Sequence, residues 1–457
     1  MVLSRYFASA EEYGAYQAVT WFASFLPPLL TLGIGKAVYW FLPRVSRPRA
    51  FLMRTLLLCV GAGGLCAASL PVVDRRGVLP LVTAAILAVA FSDRLLEPVL
   101  VSLGRTRRLA ALQAAFGAVI LVAILIPVGL RRPLPDVLLG LLACYAAQAA
   151  VLVVVCLRAP RTADGRPLPT LREHAAYALP VGLGGGLAQV AQHLDKLVAW
   201  FGITLAGYAV YQRGAMEVPL FSSIAFLALS AITPDLVRRH AEGDRAAYQS
   251  LFREASRLIA AASLPFFVFF LFTARDFIVL LYGEPYAGSA VVFRLYLGLI
   301  PLRVVWSQTL LETSGHARAA LLCGALLLAI HLPLSLLLLS PERPWGPAAS
   351  MLVAHFVAFW LVGLPLCARL QRTPVQNLVA GGGLARVLIA AGAAAVVLLP
   401  LRALDLPRVL GLGLSAAAYF PIAFVLLVVT GALKPAERAY LFSPFSRRSA
   451  RDLPPPL

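Results

Sequence analysis

Five basic side chains lie inside stretches that are otherwise apolar: Lys36, Arg94, Lys196, Arg213 and Arg303. Acids accompany them. Asp195 adjoins Lys196, Glu97 follows Arg94 by one helical turn, and Glu217 follows Arg213 by four positions. A charge at hydrocarbon depth is costly unless it faces water, a partner or a ligand. Gathered around one water-filled chamber, these cations would neutralise a phosphate or carboxylate head group. Asp195, Glu217 or Glu97 would then titrate and couple movement to a proton or Na+ gradient. The opposing reading is structural. Asp93, Arg94 and Glu97 would lock helices together, Arg213 and Glu217 would pair across one turn, and Lys36 and Arg294 would reach to the interface. The residues alone leave both readings open.

Other chemistries find less support. His193, His331 and His355 stand alone and read as packed polar residues. The cysteines at 59, 66, 144, 156, 323 and 367 lie in or at the ends of apolar stretches, with no CxxC or Cys/His cluster. They read as small buried hydrophobes, with no disulfide or metal site. Gly33-Ile34-Gly35-Lys36 is followed by Ala37 rather than Ser or Thr and lacks the phosphate-loop spacing, which argues against direct ATP hydrolysis. No Ser/His/Asp or paired-carboxylate arrangement is readable. The chain reads as a transporter without a cofactor rather than an enzyme.

The elements that must position these charges are transmembrane helices. Mean hydropathy is +0.83, with 60% hydrophobic and 13% charged residues, which leaves no room for a sizeable soluble domain. A span needs roughly 20 mostly apolar residues, and backbone polar groups in lipid must be satisfied within the segment. The pattern predicts an all-α polytopic membrane protein of about thirteen spans. They run near 14–42, 50–73, 78–103, 109–130, 134–157, 174–202, 206–232, 254–273, 290–312, 318–340, 346–369, 380–401 and 408–431. Pro180 with Gly184, Gly185 and Gly186 marks the expected hinge.

The net charge of +19 does not point to nucleic acid, because the basic residues sit in short breaks between spans. Alternate breaks are Arg-rich, by roughly three to one, which predicts that 44–49, 105–108, 158–172, 238–257, 318, 369–372 and the C-terminal tail are cytoplasmic. Membrane lipids are implied partners. That topology puts Met1 outside. The segment from Gly14 parallels the one from Gly207, and only the second copy has a full helix before its Gly. One further helix is therefore expected upstream, and the two copies form a parallel repeat.

Several motifs carry a family resemblance. Arg5-Tyr6-Phe7 through Glu11-Glu12-Tyr13-Gly14-Ala15-Tyr16 resembles the element between the first two helices of bacterial polysaccharide flippases. Tyr177-Ala178-Leu179-Pro180, Asp195-Lys196, Gly207-Tyr208-Ala209 and Pro234 look like that family's seventh and eighth helices, and Phe277 to Tyr286 is similar to its outer loop. These flippases belong to the multidrug/oligosaccharidyl-lipid/polysaccharide exporter superfamily. The resemblance implies fourteen helices, arranged as two pseudo-symmetric lobes about a central cavity plus two extra C-terminal helices. On this chain it implies lobes at 1–157, lacking the first helix, and 174–370, joined by a cytoplasmic linker at 158–173. Extra helices follow within 371–431, then a cytoplasmic tail at 432–457. It implies alternating access in the bacterial inner membrane, flipping an undecaprenyl-diphosphate-linked oligosaccharide for O-antigen, capsule or exopolysaccharide assembly. Glycosyltransferases, a polymerase and export machinery are the implied partners. A peptidoglycan lipid-precursor flippase, a drug/cation antiporter of the same architecture and a non-transporting scaffold of a glycan-assembly complex are the alternatives. An antiporter would want an acidic, aromatic-lined cavity and fits the basic set less well.

Overall fold

The computed structural model describes residues 10–74, 77, 79, 81–160, 167–216, 229, 232–340, 343–404 and 406–434. Its named elements are all helical, and an isolated bridge between Ser340 and Arg343 is the one extended pairing among the described residues. Among the described residues, nine helical stretches are long and apolar enough to cross a membrane, or ten if a bent pair near the start counts as one span. Of the other expected spans, 78–103 is broken into Val82–Val89 and Phe91–Ser102. The span at 174–202 is a helix from Leu171 to Gly202, and 206–232 is helical over Leu205–Gly214 and leaves the described residues at 217.

The chain divides into two compact units, Met1–Trp200 with Thr204–Ala209, and Phe201–Ile203 with Val210–Leu457. The first holds α1 (Ala10–Leu30), α2 (Ile34–Phe41), α3 (Pro48–Ala68), α4 (Val82–Val89), α5 (Phe91–Ser102), α6 (Thr106–Gly129), α7 (Leu134–Leu157) and most of α8 (Leu171–Gly202). The start of α9 (Leu205–Gly214) also belongs to it. Helix α8, expected to open the second lobe, is grouped with the first unit as far as Trp200. The core of that unit brings together Val38, Phe51, Leu52, Phe91, Leu95 and Leu152. Small residues let the backbones approach, as they do between membrane helices generally. A Cβ on Gly63 would lie 2.1 Å from the Ala88 carbonyl oxygen, and one on Gly140 would lie 2.7 Å from that of Ala123.

Helices α1 and α2 form the bent pair, at 54°. Pro27 and Pro28 remove two backbone donors from the last turn of α1, and Thr31 covers the Pro27 carbonyl with its hydroxyl at 2.8 Å. Leu32 at φ 43° and Gly33 at φ 77° then turn the chain through the left-handed region. The bend rests on α8. A Cβ on Gly33 would come within 2.5 Å of the Ala178 oxygen, and one on Gly182 within 2.0 Å of the Leu32 carbonyl carbon. Helix α8 runs unbroken through the expected hinge at 180–186, so the sharp break in this structure lies in the helix pair packed on it.

Helix α8 opens with a capping box. Thr170 N–H donates to Glu173 Oε2 at 2.7 Å, and the Glu173 N–H donates back to Thr170 Oγ1 at 3.2 Å. The Thr170 backbone bond, followed by the Thr170 hydroxyl, holds the Glu173 carboxyl below the usual carboxylate range.

The second unit is built on α10 (Arg245–Tyr282), capped by Asp244, which accepts from Ala247 N–H at 3.0 Å, and ended by Gly283 at φ 95°. At 38 residues it is about 57 Å long, well beyond the hydrocarbon thickness, so the expected span 254–273 is only its middle. Around it stand α11 (Ser289–Leu297), continued by Leu299–Val304 and Ser307–Thr313, then α12 (Ala317–Leu338) and α13 (Gly346–His355). Helix α13 loosens into a π-helical stretch, Phe356–Gly363, before Leu364–Leu370. The last two long helices are α14 (Gly381–Ala394) and α15 (Arg408–Val429). Tyr419 donates toward the Pro265 and Ala391 carbonyls at 2.9 and 3.2 Å, tying α15 to α10 and α14. Arg257, only 8% exposed, donates to the Ala432 carbonyl and lies 3.6 Å from Glu254, which also pairs with Lys434. Arg253 donates to the Asn377 carbonyl at 2.7 Å.

Candidate functional site

Helix α2 carries Lys36 and Tyr39 one turn apart, and α5 carries Arg94 and Glu97 with the same spacing. Gly35 lets the two helices meet. Its ideal Cβ would sit 3.5 Å from the Pro98 ring and 3.7 Å from the Arg94 carbonyl oxygen. Tyr39 Oη then donates to Glu97 Oε1 at 3.3 Å, and Arg94 Nη2 donates to the Ser24 carbonyl of α1 at 3.4 Å. Lys36, Arg94 and Glu97 are all exposed. The structure thus brings three of the sequence-selected residues onto adjoining helices of one unit. The Arg94 guanidinium is held by a carbonyl rather than by Glu97, which accepts from the Tyr39 phenol. Ser24 and Tyr39 were not foreseen. Tyr39 had a legible signal, since it lies three positions after Lys36, but pairing it with α5 requires the fold.

The same helix α1 meets the charged part of α8. His193 faces two rings of α1 edge-on, Trp21 at 6.1 Å and Phe25 at 5.7 Å. Trp21 Nε1 lies 3.4 Å from His193 Nδ1. This arrangement agrees with reading His193 as a packed polar residue. Asp195 is fully buried, with Tyr208 of α9 as an electrostatic neighbour, and Lys196 is half-buried. Trp200 closes the group, edge-on to Phe22 at 5.7 Å and to Tyr208 at 5.1 Å. Arg94 reaches Ser24 and His193 reaches Trp21 and Phe25, so both groups approach α1 within about one turn of its length.

Arg213 and Arg303 belong to the second unit. The Arg213 guanidinium lies 4.6 Å from the centre of the Tyr282 ring, with Tyr286 as an electrostatic neighbour. Arg303 lies 5.9 Å from the Trp306 ring. Both are seated on aromatic faces, an attraction the charge pattern alone does not reveal. Arg294 Nε donates to the Leu271 carbonyl at 3.2 Å. Glu217, the expected partner of Arg213, lies outside the described residues. Of Pro180, Gly184, Gly185 and Gly186, only Gly186 has a described contact, its Cβ position lying 3.2 Å from Leu29. No group of three or more His, Cys, Asp or Glu able to hold a metal occurs among the described residues.

No protein-family profile matches the chain, and no curated protein resembles it in sequence. Solved structures do share its fold. It is similar to "Lipid II flippase MurJ, inward closed conformation", with a TM-score of 0.71 and 11% identity over 97% of this chain and 95% of that one. It is also similar to an inward-facing multidrug-resistance MATE transporter of the MOP superfamily, with a TM-score of 0.61 and 14% identity over 81% of this chain and 93% of that one. An outward-facing MATE structure aligns less closely, with a TM-score of 0.50 and 13% identity. The chain is a multi-pass, all-helical membrane protein with the fold of MOP-superfamily transporters.

Proposed function

We propose that this protein is a lipid-linked oligosaccharide flippase. It moves undecaprenyl-diphosphate-linked sugar units from the cytoplasmic to the outer leaflet by alternating access, for cell-surface polysaccharide assembly. The observation that carries this reading is the group of exposed Lys36, Arg94 and Glu97 with half-buried Tyr39, on otherwise apolar helices of a flippase-like fold. A diphosphate cannot leave water without partners, and Lys36 and Arg94 are accessible cations able to meet it. Lys196, Arg213 and Arg303 are the further cations of this reading. Asp195, Glu97 and Glu217 are its candidates for proton or Na+ coupling, and Pro180 with Gly184–Gly186 its candidate flexing segment. Glycosyltransferases, a polymerase and export machinery would be its working partners in the bacterial inner membrane, with the C-terminus cytoplasmic.

A second reading has specific support. The likeness to a Lipid II flippase favours a peptidoglycan precursor as cargo. Complementation separates the two. The chain is expressed in a strain lacking its polysaccharide flippase and in one depleted of its peptidoglycan-precursor flippase. Restored surface polysaccharide supports the first reading, and restored growth alone moves the assignment to the second. Failure in both strains, with the protein present in the membrane, removes the flippase reading.

A further inference from the structure

We infer that Arg54 and His174 form a binding site for a phosphate group, at the end of the first unit that carries Arg44, Arg47, Arg49 and Arg172. The inference stands apart from the transport reading and uses none of its residues. Arg54 lies in the second turn of α3, and its Nη1 donates to the Pro169 carbonyl. Its Nε and Nη2 are sealed from solvent and have no hydrogen-bond partner among the described residues. His174, in the first turn of α8, is 2% exposed, and among the described residues both of its ring nitrogens are also without a partner. The two side chains are electrostatic neighbours that share one ring. His174 stacks on Phe51 at 5.4 Å and 20°, and the Arg54 guanidinium lies 5.9 Å from the same ring. Phe41 packs on His174 at 5.8 Å.

Buried donors left unmet are rare in native proteins and call for a missing partner. The described residues do not supply one. Glu173, adjacent to His174, is committed to Thr170 N–H and Oγ1 at 2.7 and 3.0 Å, and no ion pair to Arg54 occurs among the described residues. The open nitrogens also specify the chemistry. Nε–H and Nη2–H project from one edge of the guanidinium, the fork that grips two oxygens of an oxyanion. A neutral imidazole adds one N–H donor in either tautomer. Three donors pointing at one locus suit the several acceptor oxygens of a tetrahedral phosphate. The surroundings favour such an anion. Arg47, Arg49 and Arg172 are exposed nearby in sequence, Arg44 lies 4.1 Å from the Trp40 ring, and Trp40 stacks on Tyr177 at 5.4 Å. Tryptophan and tyrosine beside arginine mark the membrane interface, where phosphodiester head groups lie. Because solvent does not reach the nitrogens in this structure, a phosphate enters by displacing the Pro169 cap.

The test uses the full-length protein in a non-ionic detergent. Its thermal midpoint is followed while phosphatidylglycerol or sodium phosphate is titrated in, against sodium chloride at matched ionic strength. A saturable rise above the chloride control is expected. Protection by sodium phosphate identifies a soluble phosphate as sufficient, and protection by phosphatidylglycerol alone identifies the lipid head group. In Arg54→Gln and in His174→Phe, which keeps the stacking on Phe51, the half-saturating concentration should rise at least tenfold. No saturable protection of the wild-type protein by either ligand overturns the proposal, whatever the variants do. Unchanged half-saturation in a folded variant overturns it equally.

Discussion

Replacing Gly182 with Ala tests the crossing of α8 with the α1–α2 bend. The added Cβ would sit 2.0 Å from the Leu32 carbonyl carbon, 2.2 Å from its oxygen and 2.5 Å from the Gly33 nitrogen. Nonbonded carbons rest about 3.5–4.0 Å apart, so the two backbones must separate by roughly 1.5 Å. Both sides of the contact are main chain, and no side chain can rotate away. Overpacking of this kind costs typically about 1–3 kcal/mol, and a backbone-on-backbone clash belongs at the top of that range. The better helix propensity of Ala returns about 1 kcal/mol. The net loss is then about 2 kcal/mol, a fall of about 4–8 °C in thermal midpoint for a unit of this size. Gly64→Ala is the control, because that position faces open space with nothing within 4 Å. It should leave the midpoint unchanged or raise it slightly. The assay is thermal unfolding of the purified variants in one detergent. Equal midpoints for Gly182→Ala and Gly64→Ala would refute the contact between the bend and α8.

Arg94→Ala and Lys36→Ala should each lower glycan export at least tenfold in the complementing strain at equal membrane abundance, and wild-type export by both would remove these residues from cargo handling. Arg257→Met should lower stability by about 3 kcal/mol, since it strips the Ala432 carbonyl and Glu254 of a buried cationic partner; an unchanged thermal midpoint would contradict that role. Thr170→Ala should cost about 1 kcal/mol by removing the cap of α8, as read by thermal unfolding near neutral pH. Glu173 has a lowered carboxyl pKa when folded, so its contribution is fully present above the unfolded carboxylate range and fades as pH falls through the folded value. The thermal midpoint of Glu173→Gln should therefore fall less steeply below about pH 5 than that of the wild-type protein, and parallel curves would count against the capping box.

The apolar runs by themselves determined the class of this protein. A chain that is 60% hydrophobic, with breaks too short for soluble domains, can satisfy its backbone only as membrane helices. The sequence also picked out Lys36, Arg94 and Glu97, because a charge inside an apolar run is conspicuous wherever the run ends up. Other features depended on neighbours distant in sequence. The 54° break beside Gly33 becomes intelligible once Gly182 is seen against it, and both are plain glycines until two backbones meet. Arg213 and Arg303 looked like candidates for acid partners or phosphate, yet their seats are the faces of Tyr282 and Trp306, reached by folding. The length of α10 was hidden because its polar ends fall below any hydropathy threshold, although Asp244 and Gly283 mark its limits. Arg54 and His174 drew no notice in the sequence. One sits early in an apolar run and the other at the edge of a loop, and only tertiary packing sets both beside Phe51 and leaves Arg54 Nε and Nη2 and the His174 ring nitrogens unmet among the described residues. Hydropathy is a property of each segment and is legible locally, whereas the partner of a buried polar atom is a property of the assembled chain.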